Sequence, residues 1–253
     1  MSRRETTRTR IRTAEPGTCA APAPRNGAAP QLLRLLHLAS PALPIGAFHF
    51  SQGLEYAVEA RWVTDEATAL EWIGGVAGAG LATLDLPVLQ RLQTAWSRED
   101  HGDVLRWNAF LIACRETSEL RAEDRHLGAA LLRVLVELEV TTALFPLNAA
   151  KTQVGVAHAT AYAMACATWA IDSEAALQTY AWSWAENQVL AAVKLVPLGQ
   201  SAAQRMLHAL CARIPSWVER AHELADADIG VSTALCAVAS ARHETQYSRL
   251  FRS

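Results

Sequence analysis

The segment from Ser118 to Glu139 constrains this chain more than any other. Leu120, Leu127, Leu131, Val134, Leu135 and Leu138 fall on one face of a 3.6-residue helix, and charged residues fill the other. The same period recurs upstream. Leu54, Val58 and Trp62 are spaced four apart, and Asp65 stands where a cap would start a helix that turns Leu70, Ile73 and Leu81 inward. Asp103 is placed to cap a segment that buries Leu105, Phe110 and Ile112. Asp172 or Ser173 opens a helix reaching Leu195, and Pro197-Leu198-Gly199 ends it. Ser201 with Gln204, and Ser216 with Glu219, have the spacing of capping boxes. No pair of segments alternates as strands do. Ala and Leu, both strong helix formers, supply 81 of 253 residues. The expected fold is therefore all-α: a single compact bundle of roughly nine or ten helices with short connections.

Three regions are expected. Residues 1–30 hold six Arg, two Glu and four of the ten prolines, with no apolar period, and read as a disordered Arg/Pro-rich extension. It is not a secretory signal, because no apolar run follows the Arg residues. Residues 31–240 form the helical domain, and 241–253 form a polar C-terminal tail. The net charge of −2 divides into +4 over residues 1–30 and −6 over the remainder, which argues against nucleic acid as a partner. Thr152 to Ile171 carries no charge for twenty residues, but its apolar content is mostly Ala, so it reads as a buried core helix and not a membrane span.

Catalytic and metal signatures are weak. Gly74 to Gly80 has a phosphate-loop interval, but Leu81 and Ala82 stand where Lys and Ser/Thr are needed, so close helix packing is the reading. The eight histidines include no pair at i, i+4, and the five cysteines include no C-x-x-C. No metal site within the chain is expected, although a dimer axis would double each ligand. Arg115 to Asp124 is dense in charge. Its i, i+4 pairs Glu119–Glu123 and Arg121–Arg125 are repulsive, so each charge needs a partner elsewhere.

Four strings in order carry a resemblance: LLHLASPALPIGAFHFSQGLE (35–55), FLIACRETSELRAED (110–124), VKLVPLGQSAAQRML (193–207) and RHETQYSRLFRS (242–253). Together they resemble the UreF family of urease accessory proteins over about residues 31 to 253. The resemblance implies an all-helical, cytoplasmic homodimer with no enzymatic activity and no directly bound cofactor. It implies work in a nickel- and GTP-dependent assembly, in which the chain binds UreD (UreH in some systems) and recruits or regulates the GTPase UreG for nickel insertion into apo-urease. A competing reading is a catalytic GTPase-activating protein that supplies an Arg or Lys finger from Arg115, Arg121 or Lys194. The expected partner-binding residues are Arg115, Glu116, Glu119, Arg121, Lys194, Gln200, Arg242, Glu244, Tyr247, Arg249, Phe251 and Arg252. The tail is expected to be mobile until bound. If helical, it would present Tyr247 and Phe251 on one aromatic edge flanked by Arg.

Overall fold

A computed structural model describes residues 28–140, 154–230 and 234–253. Every regular element among them is helical. The order is α1 (Ala28–Ala39), α2 (Leu54–Glu59), α3 (Glu66–Val76), a π-helical stretch (Ala77–Asp85), α4 (Leu86–Ser97), α5 (His101–Ala113), α6 (Ser118–Glu137), α7 (His158–Thr168), α8 (Ser173–Leu195), α9 (Gln200–Cys211), α10 (Ile214–Glu223) and α11 (Ala234–His243). Counting α3, the π stretch and α4 as the continuous helix Glu66–Ser97 that they form makes ten among the described residues. That helix is long and apolar enough to cross a membrane, but most of its apolar window is buried inside the protein.

The centre of the fold is α7, packed between α4 and α6. Residues 159–166 of α7 are all buried, and five of those eight are Ala or Cys. Small side chains let neighbours approach from every side, which explains a helix with almost no amphipathic pattern. The closest approach is at Gly128 of α6, where a Cβ would overlap the Val156 carbonyl oxygen. Buried polar groups fix the start of α7. Asn108 of α5 donates to the Gly155 carbonyl and accepts from the Ala157 amide and the Thr160 hydroxyl. Asp124 of α6 accepts from the His158 amide at 2.7 Å, placing a carboxylate at the helix N-terminus. The 23-residue α8 packs against α1, α9 and α10.

Several local expectations are corrected. Asp100, not Asp103, caps α5, by accepting from the Asp103 amide. The true capping box is Asp65 with Thr68 on α3. Neither serine box forms: α9 starts after Gly199 and α10 after Arg213 with Pro215 in its first turn, and neither has a side-chain cap. Pro satisfies a first turn by lacking the amide that needs a partner. Leu105 and Leu138 are exposed, not buried. In the glycine cluster Gly74 is closely approached, by the Arg213 guanidinium, whereas Gly75 and Gly78 face open space. The boundary drawn at residue 30 falls inside α1. Residues 1–27 lie outside the described residues, as do Thr152 and Gln153 of the uncharged stretch.

Candidate functional site: a buried polar cluster beneath residues 244–253

The tail leaves α11 as turns and bends and closes over the segment 49–55 and the start of α6. Its backbone runs beside residues 49–51. The Arg252 amide donates to the His49 carbonyl at 2.8 Å, and the Ser51 amide and hydroxyl donate to the Ser253 carbonyl at 2.8 and 2.5 Å. Glu55, buried in the short α2, accepts from the Leu250 amide at 2.6 Å and the Phe251 amide at 2.8 Å. The approach depends on Gly53, which has φ of 82°; a Cβ there would stand 3.0 Å from the Ser240 amide nitrogen. Phe251 is 6% exposed, and the Lys194 ammonium lies 5.4 Å from its ring and 5.8 Å from that of Phe48.

Two side chains of α6 complete the enclosure. Glu119 accepts from Arg249 at 2.7 Å and faces Nδ1 of His243 at 2.7 Å; Nε2 of the same imidazole faces Glu55 at 3.1 Å. His243 itself is 0% exposed. Glu123 accepts from Gln52 at 2.8 Å and from the Ser253 hydroxyl at 2.7 Å, and burial pushes its carboxyl up to about 7. Glu244 reaches back to accept from the amide and hydroxyl of Ser118, capping α6 beside Thr117, and the Ser118 hydroxyl leads the contacts that hold its carboxyl below the usual carboxylate range. Thr117 in turn shares a hydrogen bond with Ser240 of α11 at 2.7 Å.

Beneath this layer is an ion-pair network around Arg115. Its guanidinium grips Asp85 with two bonds, at 2.5 and 3.2 Å, and Asp124 with a third at 2.9 Å. Burial disfavours the charge on Arg115, but the two carboxylates outweigh it and hold the group well above its ordinary value. The π-helical stretch delivers Asp85 to this point. His158, Tyr162 and Tyr180 share the cavity with Asp85 and Arg115; burial lowers His158 and raises both tyrosines. Arg121 donates to the Arg115 carbonyl at 2.6 Å, and Arg125 to that of Val154 at 2.8 Å. The charges that repel along α6 are thus each engaged off the helix.

The arrangement orders a segment: buried carboxylates of α2 and α6 accept the backbone amides and side chains of residues 249–253. Tyr247, Leu250 and Arg252 of the tail are exposed, as is Phe48. A family model described as UreF matches residues 63–211. A urease accessory protein UreF from Azoarcus sp. (strain BH72) is 48% identical over 231 residues, covering 91% of this chain and 98% of the relative. Those of Teredinibacter turnerae (strain ATCC 39867 / T7901) and Dechloromonas aromatica (strain RCB) are 48% and 46% identical over 223 residues, covering 88% of this chain and 99% and 98% of theirs. The chain belongs to the UreF family of urease accessory proteins. Membership in the UreF family implies a role in urease maturation.

The residues expected to bind UreF partners divide into three groups. Arg115, Glu119, Arg121, Glu244, Arg249 and Phe251 converge on the cluster, where internal contacts occupy them. Lys194, Arg242, Tyr247 and Arg252 are exposed around it, and Glu116 is exposed at the start of α6. Gln200 is exposed at the start of α9, and no hydrogen bond among the described residues ties it to the others. The free, helical tail is corrected: residues 241–243 end α11, and 244–253 are docked and non-helical. Its aromatics point opposite ways, Phe251 into the body and Tyr247 into solvent. The few apolar anchors are supplemented by buried carboxylates that accept backbone amides. Sequence reasoning missed Ser51, Gln52, Glu55, Asp85, Glu123 and His243. Glu55 and His243 stood inside the recognised strings, but no spacing rule joins residues so far apart.

Proposed function

We propose that this chain is the adaptor of urease maturation that binds UreD through the face built by residues 244–253 and recruits or regulates UreG, so that nickel is inserted into apo-urease. Nickel is the cargo of that assembly, the adaptor works in the cytoplasm as a homodimer, and it has no catalytic step of its own. One observation carries the reading: Tyr247, Leu250 and Arg252 are exposed while Arg249, Phe251 and Ser253 among and after them are locked to the body. Aromatic and Arg side chains on a pre-ordered backbone lose little entropy on docking, as interface hot spots require. The alternative, a catalytic Arg finger, is poorly served by Arg115, whose guanidinium is held by two carboxylates.

The test is a pull-down of purified UreD and UreG homologues with the double variant Tyr247→Ala, Leu250→Ala, alongside its melting curve. UreD capture should fall at least about tenfold, the effect of losing about 1.4 kcal/mol, with an unchanged melting temperature. Wild-type capture by the variant would remove this face from the interface.

A further inference from the structure

His243 sits fully buried at the end of α11, and both ring nitrogens point at carboxylates on two other helices. A neutral imidazole has one N–H and can donate to only one of them. An imidazolium has two and satisfies both. A buried carboxylate facing a bare ring nitrogen is the costly alternative, because neither atom brings a proton. The carboxylates concerned are the ones that hold the tail. Glu55 accepts its Leu250 and Phe251 amides, and Glu119 accepts Arg249.

We infer that His243 is a proton-dependent clasp: as an imidazolium it bridges Glu55 to Glu119 and holds residues 249–253 on the body, and loss of that proton opens them. The charged surroundings fit this sign. Glu55 faces the ring from α2, and Glu119 from α6, with Glu116 and Glu123 one turn to either side. Arg249 approaches from the tail and is bonded to Glu119; on α11 and just beyond it, Arg242 is exposed and Glu244 is turned to Ser118. Anions therefore dominate on the sides the imidazole touches. Glu123 acts in the same direction through its burial alone: the raised carboxyl loses a proton as the pH rises and leaves a charge under the closed tail, while the Ser253 hydroxyl favours the ionised form. The bearing of the clasp on docking rests on the tail being the UreD-facing surface. The clasp itself is measured with no partner present, so the two readings fail separately.

The experiment follows hydrogen-exchange protection of the Leu250 and Phe251 amides in the full chain, corrected for intrinsic exchange, from about pH 6 to about pH 9.5, with the His243 ring nitrogens observed by NMR. In the wild type both nitrogens should be protonated at the acid end, and protection should fall by up to about tenfold per pH unit once the proton leaves, the limit for release of one proton. Protection in His243→Gln should be low at every pH, since a side-chain amide is uncharged and carries both its N–H groups on one nitrogen, where the imidazolium meets the two carboxylates from two. In Glu123→Gln the pH dependence should persist. Flat wild-type protection, a singly protonated ring at the acid end, or an unchanged profile in His243→Gln would each overturn the clasp. Should His243→Gln fail to fold, the ring-nitrogen spectrum of the wild type decides alone.

Discussion

Glu123 is a carboxyl 4% exposed whose folded value, about 7, stands above the ordinary 4.5. Between those values the folded state holds a proton that the unfolded state has lost. Its contribution to stability is thus complete below about pH 4.5, declines as the pH rises to about 7, and levels off above. The whole change is on the order of 3 kcal/mol. Glu123→Gln keeps an acceptor for Gln52 and offers an amide to Ser253, so it should be more stable than wild type at pH 8. Urea unfolding across this range should show the decline in wild type and not in the variant; parallel curves would refute the assignment. Arg115 is the opposite case. Arg115→Met leaves Asp85 and Asp124 facing each other without a cation and should cost roughly 3–5 kcal/mol in the same unfolding measurement. A loss under about 1 kcal/mol would mean that water, not the guanidinium, satisfies those carboxylates.

Among the elements, α6 meets the backbone that leads into α7, Val156 and Ala157, at Gly128. Gly128→Ala would raise helix propensity on α6 and stabilise an isolated helix by about 1 kcal/mol. Here the new methyl would meet a carbonyl oxygen that cannot swing aside, so the packing loss should win. Net destabilisation of about 1–3 kcal/mol by thermal or urea unfolding is expected, and a gain would show that the two helices separate freely. The tail is the other element whose energetics its composition conceals. Three apolar residues in twelve look too few to dock it, yet deleting 244–253 would remove buried Phe251, both amides on Glu55, the Arg249 partner of Glu119 and the Ser253 partner of Glu123. The truncated protein should lose at least about 3 kcal/mol and melt lower. An unchanged melting temperature would mean that the tail is not docked in the free protein, as its composition suggests.

For the molecule as a whole, residues 1–27 carry Arg and Pro without apolar period, and the family match lies beyond them. Their removal should leave urease activation intact in a reconstituted assay, and a several-fold drop would make them a functional arm. The all-helical class, the turn at Pro197–Gly199 and the caps at Asp65 and Asp172 were legible because each is local: a few neighbouring residues set the helical period, a cap or a break. Local signals also misled. Ser201 and Ser216 have capping spacing, but Gly199 and the Pro215 turn start those helices first. What the chain order could not disclose is which distant groups meet. Glu55 and His243 are 188 residues apart, Arg115 and Asp85 thirty. The repulsive charges of α6 required partners, and that requirement was readable; who supplies them was not. Burial decides it, because a carboxylate withdrawn from water must take whatever donors the packed helices bring within about 3 Å. So the helices and the family motifs belong to the sequence, while the docked tail, its buried imidazole and the shifted Glu123 exist only once α2, α6 and α11 are packed together.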